Sequence, residues 1–472
     1  MQLVAYGAQD VYLSGNPQIT FFKVVYRRHT NFAMESIEQV FSGAADFGRK
    51  VTATISRNGD LIHRTYLRVQ LPTVTVNAGK QFRWLDWVGH ILIKSVEVEI
   101  GGQRIDKHYG DWLHIWNELT QTAGHQLGYA NLVGNLPYLT NLVDNTAGGS
   151  AVQVPGEILW IPLEFWFNRN PGLALPLIAL QYHEVKINIE LNDAKACYWS
   201  GSTASGVPTT DLSTAACSVP ALGTTSLYVD YIYLDTDERR RFAQAAHEYL
   251  VDQLQFTGDE STSQQNNKIK MNFNHPTKEL IWVVTPDDNV SDAAPYGKQW
   301  FNYTDAYDNK HTPGFLFNTT AAGEVQLIAS SSGGQAGIAA GGANGVFVPT
   351  SFEGGVNPVS TAWITLNGHD RFSARDGRYF SLVQPYQHHE NVPTAGINVY
   401  SFAIKPEEHQ PSGSCNMSRI DNATLNLNLT ANTVSKVVSG VTSSRSCKIR
   451  IYAVNYNVLR IMSGMGGLAY SN

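Results

Sequence analysis

Charge is scarce in this chain. Of its 472 residues only 16% are Asp, Glu, Lys or Arg, against about 25% in an ordinary soluble domain. A surface so short of charge is expected to meet other protein over much of its area. The balance that remains is acidic, −6 at neutral pH, which excludes a chain that coats nucleic acid along its length, because phosphate neutralisation needs a basic face. Four cysteines, Cys197, Cys217, Cys415 and Cys447, stand far apart with no CxxC pair, and read as reduced thiols with no structural zinc site. No apolar run approaches the roughly 18 residues needed to span a bilayer; the longest, Leu173–Leu180, contains Pro176. The opening MQLVAYGAQD has neither the basic region nor the apolar core of a signal peptide. The expectation is a soluble protein made in the cytoplasm.

Signatures of catalysis are missing too. There is no G-x-x-x-x-G-K-[ST] phosphate cradle and no G-x-S-x-G nucleophile elbow. His183-Glu184, His247-Glu248 and His389-Glu390 each begin like a zinc-protease motif, but none continues to HExxH. His388-His389-Glu390 reads as a surface loop, since neighbouring residues of an extended chain point to opposite faces and do not converge on a metal. Arg239-Arg240-Arg241 follows Asp235, Asp237 and Glu238, so it reads as a solvated, mixed-charge connector and not as a nucleic-acid site. No pattern nominates the pair of carboxylates that a glycosidase needs. The expectation is no enzyme, no metal and no cofactor.

What is present points to β structure. Gly (40), Tyr (22), Phe (19) and Trp (10) are plentiful, a balance that favours turns and aromatic layers. Period-2 runs bounded by Gly, Pro or Asn recur: Leu61–Leu71, Ile91–Ile100, Ile158–Phe167, Glu184–Leu191 and Leu227–Leu234. Helical spacing is rare. It is clearest over Asp111–Thr122, where Trp112, Ile115, Trp116 and Leu119 fall at i, i+3, i+4 and i+7 behind Asp111 as cap, and a second short helix is expected over Asp237–Tyr249.

The second half repeats the order of the first. IEQVFSG at Ile37–Gly43 is answered by VDQLQFTG at Val251–Gly258, and VEIGGQRI at Val98–Ile105 by ITLNGHDRF at Ile364–Phe372. Asn170-Pro171-Gly172 precedes one long strand, and Gln410–Gly413 precedes LNLNL at Leu425–Leu429. VDYIYLDTDERRR from Val229 corresponds to IYAVNYNVLRI from Ile451. The unequal spacing means two domains with different loops, not a solenoid. The fold expected is all-β: two tandem eight-stranded jelly-roll sandwiches with long loops and a few short helices. The boundaries are an N-terminal arm at 1–29, a first roll at 30–240, a connector at 241–250 and a second roll at 251–472. The second roll carries a long insertion at about 286–361, which is expected to be exposed and functional.

Several long stretches carry a resemblance. QLVAYGAQDVYLSGNPQITFFKVVYRRHTNFA from Gln2, ISRNGDL at Ile55–Leu61, EIGGQRIDKHYGDW at Glu99–Trp112, NPGLALPLIALQYHEVK at Asn170–Lys186, NFNHPTK at Asn272–Lys278, SRIDNATL at Ser418–Leu425 and YNVLRIMSGMGGLAY at Tyr456–Tyr470 together resemble the major capsid proteins of nucleocytoplasmic large DNA viruses, especially the algal-virus type. The resemblance leaves out 123–155, 200–226 and 286–359, the expected loops. It implies a structural subunit of an icosahedral virion that forms homotrimers of pseudo-hexagonal outline over an internal membrane. Its partners would be its own copies, neighbouring capsomers and minor capsid proteins, with no sequence-specific nucleic-acid binding, and it would sit in the shell after assembly in the host cytoplasm. Two alternatives stand beside it: a minor capsid or spike protein of the same fold, and a carbohydrate-binding or carbohydrate-active sandwich.

Two sets of candidate residues follow. In the arm, Lys23, Arg27 and Arg28, with His29 beside them, follow the apolar Ile19–Phe22. The bland reading is a strap against the sandwich base; the functional one is a contact on the capsomer's inner face with minor proteins or an anionic membrane. Asn-x-Ser/Thr triplets stand at Asn289, Asn302, Asn318, Asn416, Asn422 and Asn428. Chance is the default for these without a signal peptide, although the resembled family can carry glycans on outward loops.

Overall fold

The computed structural model of the chain describes residues 5, 7–145, 150–204, 207–213, 216–294, 296–306, 316–319, 325–328, 356–438 and 441–470. Within the first half, eight strands make a sandwich: β1 Phe32–Gln39, β2 Lys50–Thr54, β3 Leu61–Gln70, β4 Ile93–Ile100, β5 Gln103–Tyr109, β6 Ile158–Pro162, β7 Val185–Leu191 and β8 Thr225–Leu234. One sheet runs β1-β8-β3-β6 and the other β2-β7-β4-β5. The second half supplies β9 His247–Thr262, β10 Asn266–Met271, β11 Pro276–Pro286, β12 Val359–Leu366, β13 His369–Asp370, β14 Asn398–Ser401, β15 Ala423–Leu429 and β16 Cys447–Met462. Its sheets run β9-β16-β11-β14 and β10-β15-β12-β13. The two orders are the same, strand for strand, so the repeat read from the sequence is a repeat of jelly-roll topology.

The local chemistry explains why these segments became strands. In β7 the residues Val185, Ile187, Ile189 and Leu191 are buried and alternate with partly exposed neighbours, as a half-buried strand requires. The matched hairpins β4–β5 and β12–β13 each turn on two residues in the left-handed region, Gly101-Gly102 (φ 58° and 85°) and Asn367-Gly368 (φ 50° and 82°). Such turns suit the strands' twist and select Gly and Asn. Each roll has its own core: Ile62, Val69, Val98 and Ile187 are fully or almost fully buried in the first, and Trp282, Ile364, Leu425 and Ala453 in the second.

Several expectations need correction. The helix expected from Asp111 is α1, Gly110–Thr120, with Tyr109 at the N-cap position and no side-chain cap; Asp111 lies inside its first turn, where one carboxylate oxygen accepts from the Trp112 amide and the other is engaged elsewhere. A separate helix, α2 at Ala123–Val133, follows it in what read as loop. The connector helix is α3, Thr236–Gln244, capped by the Asp235 side chain, and it stops early because His247 already enters the long strand β9. The start of the insertion is not an exposed loop. Tyr296, Tyr303, Thr304 and Asp305 are buried, and the Phe301 ring stacks on His114 at 4.3 Å. The small-residue stretch 329–345 lies outside the described residues.

Loops at one end of the first roll zip together. Gln81–Trp84 pairs with Tyr198–Ala204 and Val143–Asp144, and Val74–Val76 pairs with Val152–Val154 and Cys217–Ser218. At the C-terminus, β16 turns back into β17, Met465–Leu468, and this hairpin docks on the first roll. The Tyr182 amide donates to the Gly464 carbonyl at 3.0 Å, the Gly466 amide to His183 Nδ1 at 3.1 Å and the Leu468 amide to Gln103 Oε1 at 3.3 Å. Gly464 has φ 80°, and a side chain there would collide with Tyr182. Truncation after Ser463 is expected to cost on the order of 2–3 kcal/mol through lost burial and pairing. Thermal unfolding of the shortened chain measures this, and an unchanged midpoint would contradict it.

Candidate functional site

The most heavily built region outside the two cores is the joint between the rolls. Helix α1 leaves the first roll after β5. Leu113 stays in that roll's core, while Trp112, Ile115, Trp116 and Leu119 pack on the second roll's sheet against Ile281, Val283, Val399, Tyr452 and Val454. The helical spacing seen in the sequence therefore serves the neighbouring domain. The Trp112 and Tyr452 rings lie 5.5 Å apart, and Phe256 stacks on Tyr452 at 4.9 Å. Burying four large side chains of this kind stabilises the joint by roughly 1.5–3 kcal/mol each.

A charged cluster fixes the helix in register. Arg450 Nη1 donates to Asp111 Oδ2 at 2.7 Å and Arg450 Nε to Asp259 Oδ1 at 2.8 Å, while the Tyr452 hydroxyl donates to the same Asp111 oxygen. Burial works against the Arg450 charge, but Asp111 and Asp259 outweigh it and hold the guanidinium protonated. Burial first, then the Asp111 charge, pushes the Tyr452 hydroxyl well above its ordinary range, so it is a donor at any working pH. On the far side, Arg169 of the first roll lies 4.1 Å from the Trp116 ring centroid and 3.9 Å from Asp252, which also pairs with the buried Lys278 at 2.9 Å. Sequence reading missed all of these partners.

His389 also needs correction. Its side chain is fully buried, with Glu279 at 2.9 Å from Nε2 and Glu407 at 2.8 Å from Nδ1; the first contact is an ion pair and not an aligned hydrogen bond. The carboxylates occupy opposite ring nitrogens, so they do not converge on one ion. Among the described residues no group of three or more His, Cys, Asp or Glu is placed to hold a metal. Burial alone would lower the imidazole pKa, but the Glu279 and Glu407 charges overcome it and raise it to about 9.

The two candidate sets stand apart from the joint and from each other. Lys23, Arg27 and Arg28 are exposed, as is every residue of the arm described between Gln18 and Phe32. Phe21, Phe22 and Tyr26 are 89%, 96% and 85% exposed, so these three side chains do not pack on their own roll. Asn289 is fully buried and its amide donates to the Thr304 carbonyl; Asn302 is tied to Gln299 and Ala306. A glycan on either would have to break into packed structure. Asn416 and Asn422 are exposed, Asn428 is partly exposed and bonded to Thr361, and the Asn318 side chain lies outside the described residues.

Two family models cover the chain almost end to end. Residues 20–235 match the one described as the major capsid protein N-terminus, and 238–467 the large eukaryotic DNA virus major capsid protein. The division falls within α3, between the rolls. The chain belongs to this family of viral major capsid proteins. It is 53% identical to the major capsid protein of Phaeocystis pouchetii virus, over all of this chain and 99% of that one. The crystal structure of PBCV-1 VP54 matches with a TM-score of 0.69 at 39% identity, covering 96% of this chain and all of that one. A quasi-atomic model of the PBCV-1 capsid matches at 0.67 with the same identity and coverage. The protein is thus a structural subunit of the virion's capsid shell, a double jelly roll that assembles with copies of itself, and not an enzyme.

Two predictions rest on these clusters. Asp111→Ala leaves the largely buried Arg450 with Asp259 alone, and should destabilise this capsid subunit by about 2–3 kcal/mol, read as a lowered denaturant midpoint; an unchanged midpoint would refute the role given to Asp111. His389 has a folded pKa above its unfolded value of 6.5, so its contribution is complete below about pH 6.5 and is lost as pH rises through about 9, a span on the order of 3 kcal/mol. Stability of the parent should fall over that window more steeply than stability of His389→Gln. Parallel curves would remove His389 from the account.

Proposed function

We propose that this capsid subunit forms trimers of pseudo-hexagonal outline that tile an icosahedral shell over an internal membrane. The observation that carries the reading is the repeat itself. Each chain holds two sandwiches of one topology in fixed relation, so three chains bring six equivalent walls to a ring, an outline that can tile a facet. Heterologous contacts that close make rings of this kind. The low charge of the chain supports large contact areas, since obligate interfaces bury roughly 2,000 Å² or more. Native mass spectrometry at micromolar concentration should find trimers, and stable monomers would overturn the reading.

The arm's partners lie off its own chain. Val11, Tyr12, Leu13, Ile19, Phe21 and Phe22 are between 63% and 96% exposed, more apolar surface than a free segment keeps in water. Lys23, Arg27 and Arg28 are set against one carboxylate in the arm, Asp10. We assign the arm to the inner face of the capsomer, on minor capsid proteins or an anionic membrane surface. Replacing the three cations by Gln should leave trimers of normal stability and abolish particle assembly. Loss of the trimers would make the arm structural, and normal particles would show that its charges have no part in assembly.

A further inference from the structure

The joint inside the chain has a counterpart that the chain leaves open. In the first roll the segment after β5 is α1, and its outward residues enter the second roll's sheet. In the second roll the segment after the β12–β13 hairpin is also helical, a π turn at Tyr379–Val383 running into Gln384–His388. At one constant displacement along the chain, Trp112, Leu113, Ile115, Trp116 and Leu119 stand opposite Tyr379, Phe380, Leu382, Val383 and Tyr386. The correspondence reaches into the cores: Leu113 is fully buried in its own roll and Phe380 is fully buried in its own. The outward positions differ. Ile115, Trp116 and Leu119 are covered by the second roll, whereas Leu382, Val383 and Tyr386 are 48%, 40% and 80% exposed.

The surface that should receive them is present on every copy. Helix α1 rests on the outer face of the β9-β16-β11-β14 sheet. The equivalent face of β1-β8-β3-β6 carries Tyr66, Arg68, Trp160 and Tyr228, all only partly buried. These four are neighbours, since Tyr66 registers with Tyr228 and Arg68 with Trp160. The Trp160 and Tyr228 rings meet edge to face at 4.8 Å, and Arg68 lies 5.9 Å from the Trp160 ring centroid. Aromatic residues and Arg held at a surface in this way are the types enriched at interface anchors.

We infer that Leu382, Val383 and Tyr386 of one copy dock on the Tyr66–Trp160–Tyr228 face of a second copy, repeating between chains the joint that α1 makes within one. The contact continues one already made: the same segment of the same fold meets the same face of the same sheet, and the described residues hold two rolls, so within them the second roll has no third to meet. The contact is heterologous, with one donor and one acceptor per chain, and six alternating rolls return to the first after three chains. It rests on the trimer reading and adds to it the residues that close the ring.

The test uses the full chain. Leu382→Asp/Tyr386→Asp alters only exposed side chains, so its thermal midpoint as a monomer should be retained. Its association should weaken by about 100-fold, the loss of two anchors of tenfold each. Leu127→Asp, at an exposed apolar site on α2, is the control and should associate normally. In parallel, a benzophenone side chain at position 386, irradiated in a mixture of isotopically light and heavy chains, should form light-to-heavy crosslinks mapping to β3, β6 or β8. This readout stands even if the double variant misfolds. A parent chain that stays monomeric overturns the trimer reading and this contact with it. A parent trimer that survives the double substitution, or that crosslinks only elsewhere, overturns this contact alone.

Discussion

Everything in this subunit turns on one buried helix. α1 belongs covalently to the first roll and energetically largely to the second, because four of its large side chains pack on the second roll's sheet. Two sandwiches joined only by a short connector would swing freely, as domains with small polar interfaces do. Here the aromatic layer of Trp112, Trp116, Tyr452 and Phe256 excludes water, and within that layer the contacts of Asp111 with Arg450 and Tyr452 gain from the lowered dielectric. The apolar part supplies the energy and the ionic part the register. A shell subunit needs both, since a small error in the angle between the rolls would be carried into every contact it makes with its copies.

The two chain ends extend this division of labour. The C-terminus runs from the last strand of the second roll back to the first, tied at Tyr182, His183 and Gln103. With α1 it clamps the rolls from two sides, each roll contributing one segment to the other. The N-terminus does the opposite. Among its described residues Tyr12, Leu13, Phe21 and Phe22 are 89–96% exposed, so they add little to the packing of their own roll. One end consolidates the subunit, and the other leaves its apolar side chains exposed.

Strands and their repeat were legible because they are local. Alternation in Val185–Leu191 or Val96–Ile100 records one face toward a core and one away, and the paired turns at Gly101-Gly102 and Asn367-Gly368 mark both hairpins. The spacing of Trp112, Ile115, Trp116 and Leu119 likewise announced a helix with one apolar side. What it could not announce was which domain that side meets, since Ile281 and Tyr452 lie hundreds of residues away. The same holds for His389. Next to His388 and Glu390 it reads as a solvated loop, and only the fold brings Glu279 and Glu407 to its two nitrogens. Helix α2 escaped notice for a different reason: its apolar residues are scattered around the helix, with only Tyr129 and Val133 buried, so no periodic stripe marked it.

The two rolls have diverged where their neighbours differ. The donor inside the chain offers two Trp and two large aliphatics to an aliphatic and aromatic sheet, a permanent contact formed once, as the chain folds. The corresponding segment of the second roll offers Leu, Val and Tyr, and the corresponding face of the first roll carries Tyr, Trp and Arg. Those side chains combine apolar area with polar edges, so they remain soluble on a free chain and still provide anchors when covered. A subunit whose every face matched α1 in apolarity would aggregate before it could assemble. The sparse charge of the chain and the partly polar aromatics of its open faces are thus two sides of one constraint: enough surface left unhydrated to associate, and enough polarity on it to wait for the right partner.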